Sequence, residues 1–163
     1  MEQFGKELGD PILNARLNLA RGQVYALLGD NQEAQDWYEA AFNNLEELPG
    51  KPTLEASARE LEVGALKARA CLGMGEVLQE ANPLIALEWL MLGLETLPED
   101  VNLVEHAIIR IRMGRIHAYQ GDFKAAEEAL QQGSRDLPVD HPMRITALGN
   151  LGRTHLLHHE LDQ

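Results

Sequence analysis

Apolar residues along the chain recur at helical spacing, and no segment keeps an alternation of period two. This pattern predicts helices and no strand. Asp10-Pro11, Asn82-Pro83 and His141-Pro142 each place proline in a first helical turn, where its missing N–H does no harm. Asp100 and Asp122 stand where a side-chain oxygen can cap free N–H groups. Stop signals follow at Gly29, Pro49-Gly50, Pro98, Gly121 and Pro138. Together these signals predict helices over 11–28, 31–48, 53–80, 83–97, 101–120, 123–137 and 142–158. The connections are only a few residues long, so consecutive helices must run antiparallel.

The helical hairpins repeat. Gly22 is followed seven residues later by Gly29-Asp30, and Gly114 by Gly121-Asp122. Alanine stands twelve residues after each of these glycines, at Ala34 and Ala126, and eleven after Gly75, at Ala86. Pro98 and Pro138 each come twelve residues after their alanine. Gly152, in "LGNLGRTHLL", opens a fourth copy. The physical reading is that two helices approach closely only where side chains are small. A glycine on the first helix and an alanine on the second allow that approach, and larger neighbours such as Tyr25 and Tyr38 fill the space around it. Gly29 and Gly121 are expected to end their helices with positive φ.

These residues resemble the tetratricopeptide repeat. The first hairpin offers Gly22, Tyr25, Ala34 and Tyr38 for its pattern. The second offers Met74-Gly75, Leu78, Ala86, Leu90 and Pro98, and the third Met113-Gly114, His117, Ala126, Leu130 and Pro138. The fourth offers Leu148, Leu151-Gly152 and His155. The aromatic slot that opens the standard repeat holds Asn18, Cys71, Arg110 and Leu148 instead. The slot glycines lie 53, 39 and 38 residues apart, against about 34 in the standard repeat. The longer step resembles the sensor arms of MalT-like transcription activators and signal-transducing ATPases. It implies an unusually long helix over 53–80, whose front half, "TLEASARELEVGALKARA", extends beyond the array.

The resemblance implies an all-α fold, an antiparallel helical-hairpin solenoid of about three and a half repeats with a right-handed superhelical turn. One repeat domain covers residues 1–163, with repeats near 11–49, 53–98, 101–138 and a partial one at 142–163. The closing "HHELDQ" stops short of a second helix, and the opening "FGKELGDP" resembles the tail of a preceding one. The expectation is a piece of a longer array, with self-association through the cut end.

Composition narrows the function. The 26 acidic side chains against 14 Lys and Arg, a formal charge of −12, argue against nucleic acid as the ligand. There is no long apolar run and no signal layout, so a cytoplasmic location away from membranes is expected. The one cysteine, Cys71, sits in an apolar helical run and reads as a buried free thiol.

Catalytic and metal chemistry find little support. His155, His158 and His159 have spacing that suits zinc. However, His155 and His117 fall in the slot of a packing residue, and the only acid with fitting spacing near the three is Glu160. No HExxH, CxxC or phosphate-binding glycine loop occurs. The carboxylate pairs Glu46-Glu47, Glu99-Asp100 and Glu127-Glu128 read as solvated faces. No catalytic residue, metal or cofactor is expected.

The arginines suggest a binding surface. Nine of the ten fall on first helices, whereas second helices carry a run of acids. The family resemblance places first helices on the concave face, which gives an arginine-lined groove in an acidic protein. The residue after each slot glycine should face that groove: Gln23, Glu76, Arg115 and Arg153. Seven residues earlier the same face carries Arg16, Arg69, Ile108 and Thr146. Arg112 and Tyr119 complete the candidate groove. Arg69 and Glu76 can neutralise each other, while Arg115 and Arg153 have no such partner. Guanidinium groups bind carboxylates or phosphates in bidentate fashion, and internal salt bridges are the competing use. Apolar candidates for the groove are Leu19, Leu72, Ile108, Ile111, Tyr119 and Leu156; each can equally belong to the core. A chaperone-type carboxylate clamp is absent, since Leu19 and Gln23 occupy its places in the first repeat. The expected function is a non-catalytic module that binds a protein or peptide with acidic groups, as the sensor or scaffold segment of a larger bacterial regulator. The alternative is an arm that binds a small-molecule effector.

Overall fold

The computed structural model describes residues 9–48, 57–97 and 103–161. Among these residues there are seven helices and no strand: α1 Pro11–Leu28, α2 Asn31–Asn43, α3 Ala58–Leu78, α4 Pro83–Glu95, α5 Leu103–Gln120, α6 Phe123–Asp136 and α7 Pro142–Leu161. The fold is all-α, a tetratricopeptide-like row of antiparallel hairpins. Pairs α1–α2, α3–α4 and α5–α6 form the hairpins, and α7 follows as a further first helix. The first helices α1, α3, α5 and α7 also touch in succession. The second helices α2 and α4 meet through an edge-to-face pair, Phe42 and Trp89, with ring centroids 5.6 Å apart. The backbones thus stack more closely on the side of the first helices.

Local signals set the ends. Asp10 accepts from Ile12 N–H at 3.0 Å, with Pro11 in the first turn of α1. Asp30 and Asp122 cap α2 and α6 in the same way. Gly29 and Gly121 both sit at φ +80°, as a left-handed helix stop requires. Expectations placed on Pro49-Gly50, Thr53–Ala56, Pro98, Asp100 and the opening eight residues lie outside the described residues.

The two largest differences from the sequence reading are the end of α2 and the start of α3. Helix α2 ends at Asn43, and the chain turns through 44–48 by i→i+3 bonds such as Leu45 N–H to the Phe42 carbonyl, 3.0 Å. Leu45 nevertheless points inward and is fully buried, which is why the apolar pattern ran on past the helix end. Helix α3 starts at Ala58, with Ser57 and Glu60 forming a reciprocal capping box. At 21 residues it is one longer than α7, so an outsized helix does not account for the 53-residue step.

Each second helix, with one leucine just past its end, presents the same inward frame. Ala34, Tyr38, Ala41 and Leu45 recur as Ala86, Leu90, Gly93 and Leu97, and as Ala126, Leu130, Gly133 and Leu137. All twelve are buried. Steps of four, three and four residues keep these positions on one helical stripe. That stripe meets the slot glycines. A Cβ on Gly22 would lie 2.7 Å from the Tyr38 ring. On Gly75 it would lie 2.6 Å from Leu90 Cγ, and on Gly114 2.7 Å from Leu130 Cγ. Three of the four expected close approaches are therefore present. The fourth is not: Gly152 is exposed, with nothing within 4 Å of its added Cβ, because no second helix lies on α7 among the described residues.

Candidate interaction groove

The first helices bring their polar side chains into one ladder. Arg16 of α1 pairs with Glu62 of α3. Arg69 of α3 reaches Glu105 of α5 at 3.8 Å, and Glu76 of α3 pairs with Arg112 of α5. The partners of Arg69 and Glu76 thus come from the next hairpin, where the sequence reading had set the two against each other. Partly exposed pairs of this kind add at most about 1 kcal/mol each. Their clearer effect is to fix the register between hairpins.

Open space follows the ladder. A cavity of about 480 Å³ is lined by Asp10, Arg16, Arg59 and Glu62, among others. The next, about 450 Å³, shares Arg16 and Glu62 with it and adds Gln23 and Arg69. A third, about 430 Å³, shares Gln23 and continues to Tyr38, Glu76, Gln79 and Arg112. Shared walls make these three one trough along α1 and α3, ending at α5.

Past Arg112 the ladder changes character. Arg115 donates to the side-chain amide oxygen of Gln79, a neutral partner. Burial first, and then the nearby Arg112 charge, pull the Arg115 guanidinium down from its ordinary value; Tyr119 and Glu76 oppose this in part, and Arg153 adds the smallest share to it. The Nε atoms of Arg112 and Arg115 are both buried without a hydrogen-bond partner among the described residues. Arg153 lies over the exposed Tyr119 ring, 5.6 Å from its centroid, and its Nη2 is 3.4 Å from Asn150 Oδ1. The α5–α7 step therefore gathers guanidinium groups where earlier steps pair arginine with glutamate.

The apolar groove candidates divide. Leu19 and Ile111 are buried core, Leu72 and Ile108 are half-buried, and Tyr119 and Leu156 are exposed. The histidines divide as well. His155 Nδ1 lies 2.8 Å from Glu127 Oε1, an acid of α6 that helical spacing within α7 cannot reveal. His158 stacks on Phe123, with centroids 5.5 Å apart. Cys71 is fully buried, and burial pushes its thiol up to about 12, which suppresses the thiolate. Among the described residues no cluster of His, Cys, Asp and Glu has the geometry to hold a metal ion. No helix among them is long and apolar enough to cross a membrane.

Sequence reasoning missed Gly73. A Cβ there would lie 2.5 Å from Tyr38 Cζ, so the Tyr38 ring is held between Gly22 of its own hairpin and Gly73 of the next. The available signal was Tyr38 itself, the one aromatic in a slot that holds leucine at 90 and 130. A longer side chain there needs a second gap.

Residues 15–43, spanning most of α1 and all of α2, match the family model of the tetratricopeptide repeat. No curated protein sequence matches the chain. Tetratricopeptide repeats generally mediate protein–protein interaction.

Proposed function

We propose that the protein is a non-catalytic interaction module that takes an extended protein segment along the face of its first helices. The trough is the observation that carries this reading: three cavities with shared walls follow α1 and α3 to Arg112. A continuous trough suits an extended chain better than a single compact effector. The repeat match at 15–43 supports the same class.

The segment's acidic groups belong at the α5–α7 end. Arg115 makes no ion pair among the described residues; the Arg112 charge repels it most, Arg153 adds to that, and Glu76 offsets part of it. An incoming carboxylate relieves that repulsion and gains charge-assisted hydrogen bonds. Arg16, Gln23, Arg69 and Glu76 form the neutralised stretch that guides the rest of the segment, and Tyr119 with Arg153 forms its far wall. The parent role we assign is a sensor or scaffold segment of a larger regulatory protein, with this chain as one domain of a longer repeat array.

The test is a peptide array of extended segments, read by binding of the intact chain. The bound set is expected to be rich in Asp and Glu beside apolar residues. Joint replacement Arg115→Ala and Arg153→Ala should weaken the best binder by about 10- to 100-fold at low salt, the range for losing a charged hydrogen bond. The difference should shrink as salt rises. A bound set without acidic enrichment, or binding unchanged by the two substitutions, contradicts the assignment.

A further inference from the structure

Tyr38 carries a polar atom from a second helix through the layer of first helices. An added Cβ at Gly22 of α1 would meet the near end of its ring, Cγ, Cδ1 and Cε1. One at Gly73 of α3 would meet the far end, Cζ, Cε1 and Cε2. The ring therefore threads from α2 between α1 and α3 with its hydroxyl leading. Just past those glycines stand Gln23 and Glu76, which line the third cavity of the trough with Gln79, Arg112 and Tyr38 itself.

The hydroxyl has no use inside the fold. Among the described residues it makes no hydrogen bond, and it is not sealed away from solvent. An enclosed tyrosine usually gives its O–H a partner. Packing does not call for the oxygen either, since leucine fills the same slot against Gly75 and Gly114 at 90 and 130. Burial, helped by the Glu76 charge, pushes the phenol up to about 12, so the group stays a neutral donor across the physiological range.

Its neighbours select the acceptor. Arg112, the cation among the residues lining this cavity, is engaged by Glu76, so no unpaired positive charge draws a carboxylate to this point. The Gln79 oxygen is likewise committed, to the Arg115 donor. The Glu76 charge acts on the phenol itself, which disfavours a second anion beside it. The fitting acceptor is neutral, and an extended segment offers one at every residue, its main-chain carbonyl.

We infer that the Tyr38 hydroxyl donates a hydrogen bond to a main-chain carbonyl of the bound segment, on the reading above that the trough holds an extended segment. This contact is blind to the segment's sequence. The arginines at the α5–α7 end select acidic side chains, and Tyr38 holds the backbone where the first two hairpins meet.

The probe is the tightest-binding synthetic peptide of the array above, labelled with fluorescein. Its anisotropy is followed against the intact chain and against Tyr38→Phe, which keeps the ring and loses only the hydroxyl. A helical circular dichroism spectrum and a cooperative urea transition establish that the variant is folded. Affinity should fall by about three- to tenfold, the range for one neutral hydrogen bond. The fall should keep its size as salt rises, unlike that of the arginine variants. It should also persist through an alanine scan of the peptide, because every scanned peptide keeps its carbonyls. Equal binding by Tyr38→Phe overturns the inference and leaves the trough reading standing. A single peptide side chain whose removal abolishes the difference also overturns it, since that makes the side chain the acceptor. If no peptide of the array binds, the trough reading fails and the role of the hydroxyl falls with it.

Discussion

Tyr38→Ala is expected to destabilise the fold by about 3–5 kcal/mol, the range for removing a buried aromatic ring. The ring is 4% exposed and wedged between two helices that have no side chain to fill the gap it would leave. An added Cβ would lie 2.7 Å from it at Gly22 and 2.5 Å at Gly73, so both helix backbones are drawn up to the ring faces and edge. The same enclosure, helped by the Glu76 charge, pushes the phenol up to about 12. Truncation removes the contact within the first hairpin and the contact to the second at once. Against a typical total of about 5–15 kcal/mol, the loss is a large fraction of stability. Tyr38→Phe keeps the ring and should lose less than about 1.5 kcal/mol. Urea unfolding of the two variants measures both values. A Tyr38→Ala loss below about 1 kcal/mol would show that the ring does not bridge the hairpins.

Gly133→Ala is expected to destabilise by about 1–3 kcal/mol, although alanine is the better helix former by about 1 kcal/mol. The obstacle is mainly backbone. The new methyl would lie 2.8 Å from the Ala107 carbonyl oxygen and 3.3 Å from Ile111 N, as well as 2.7 Å from Ile111 Cγ1. A side chain can rotate aside, but a main-chain carbonyl in the neighbouring helix cannot, so α5 and α6 must separate. Hydrogen exchange of α6 amides should accelerate with the fall in stability. A variant as stable as the parent would mean that the two helices do not rest on each other at that point.

Much of this architecture was legible in the sequence. The starts at Pro11, Pro83 and Pro142 and the turns at Gly29 and Gly121 follow from backbone chemistry local to a few residues, and the structure places them where that chemistry requires. The three occupied glycine slots were legible because each keeps a fixed step to an alanine in its own hairpin, although the close contact falls four residues past that alanine, on Tyr38, Leu90 and Leu130. The contacts that were not legible join different hairpins. Arg69 with Glu105, Glu76 with Arg112 and Tyr38 with Gly73 all depend on how one hairpin sits on the next, which no spacing within a helix encodes. The start of α3 was missed for another reason. The Ser57–Glu60 capping box lies inside a stretch whose apolar period continues on both sides, and periodicity outweighed the cap. Along their own helices, Arg115 and Arg153 have no acid one turn away, which the spacing alone shows. That Gln79 and Tyr119 are their neighbours it does not show.

Thermal unfolding of Gly114→Ala beside Gly152→Ala tests the central claim most directly. The two glycines hold the same slot and both lie within helices, so they share the helix-propensity gain of alanine and differ only in what covers them. With Leu130 and the Ala126 carbonyl over Gly114 and nothing within 4 Å of Gly152, the account predicts that the midpoint falls for the first and rises by about 2–4 °C for the second. A fall at both sites, or a rise at both, would contradict it.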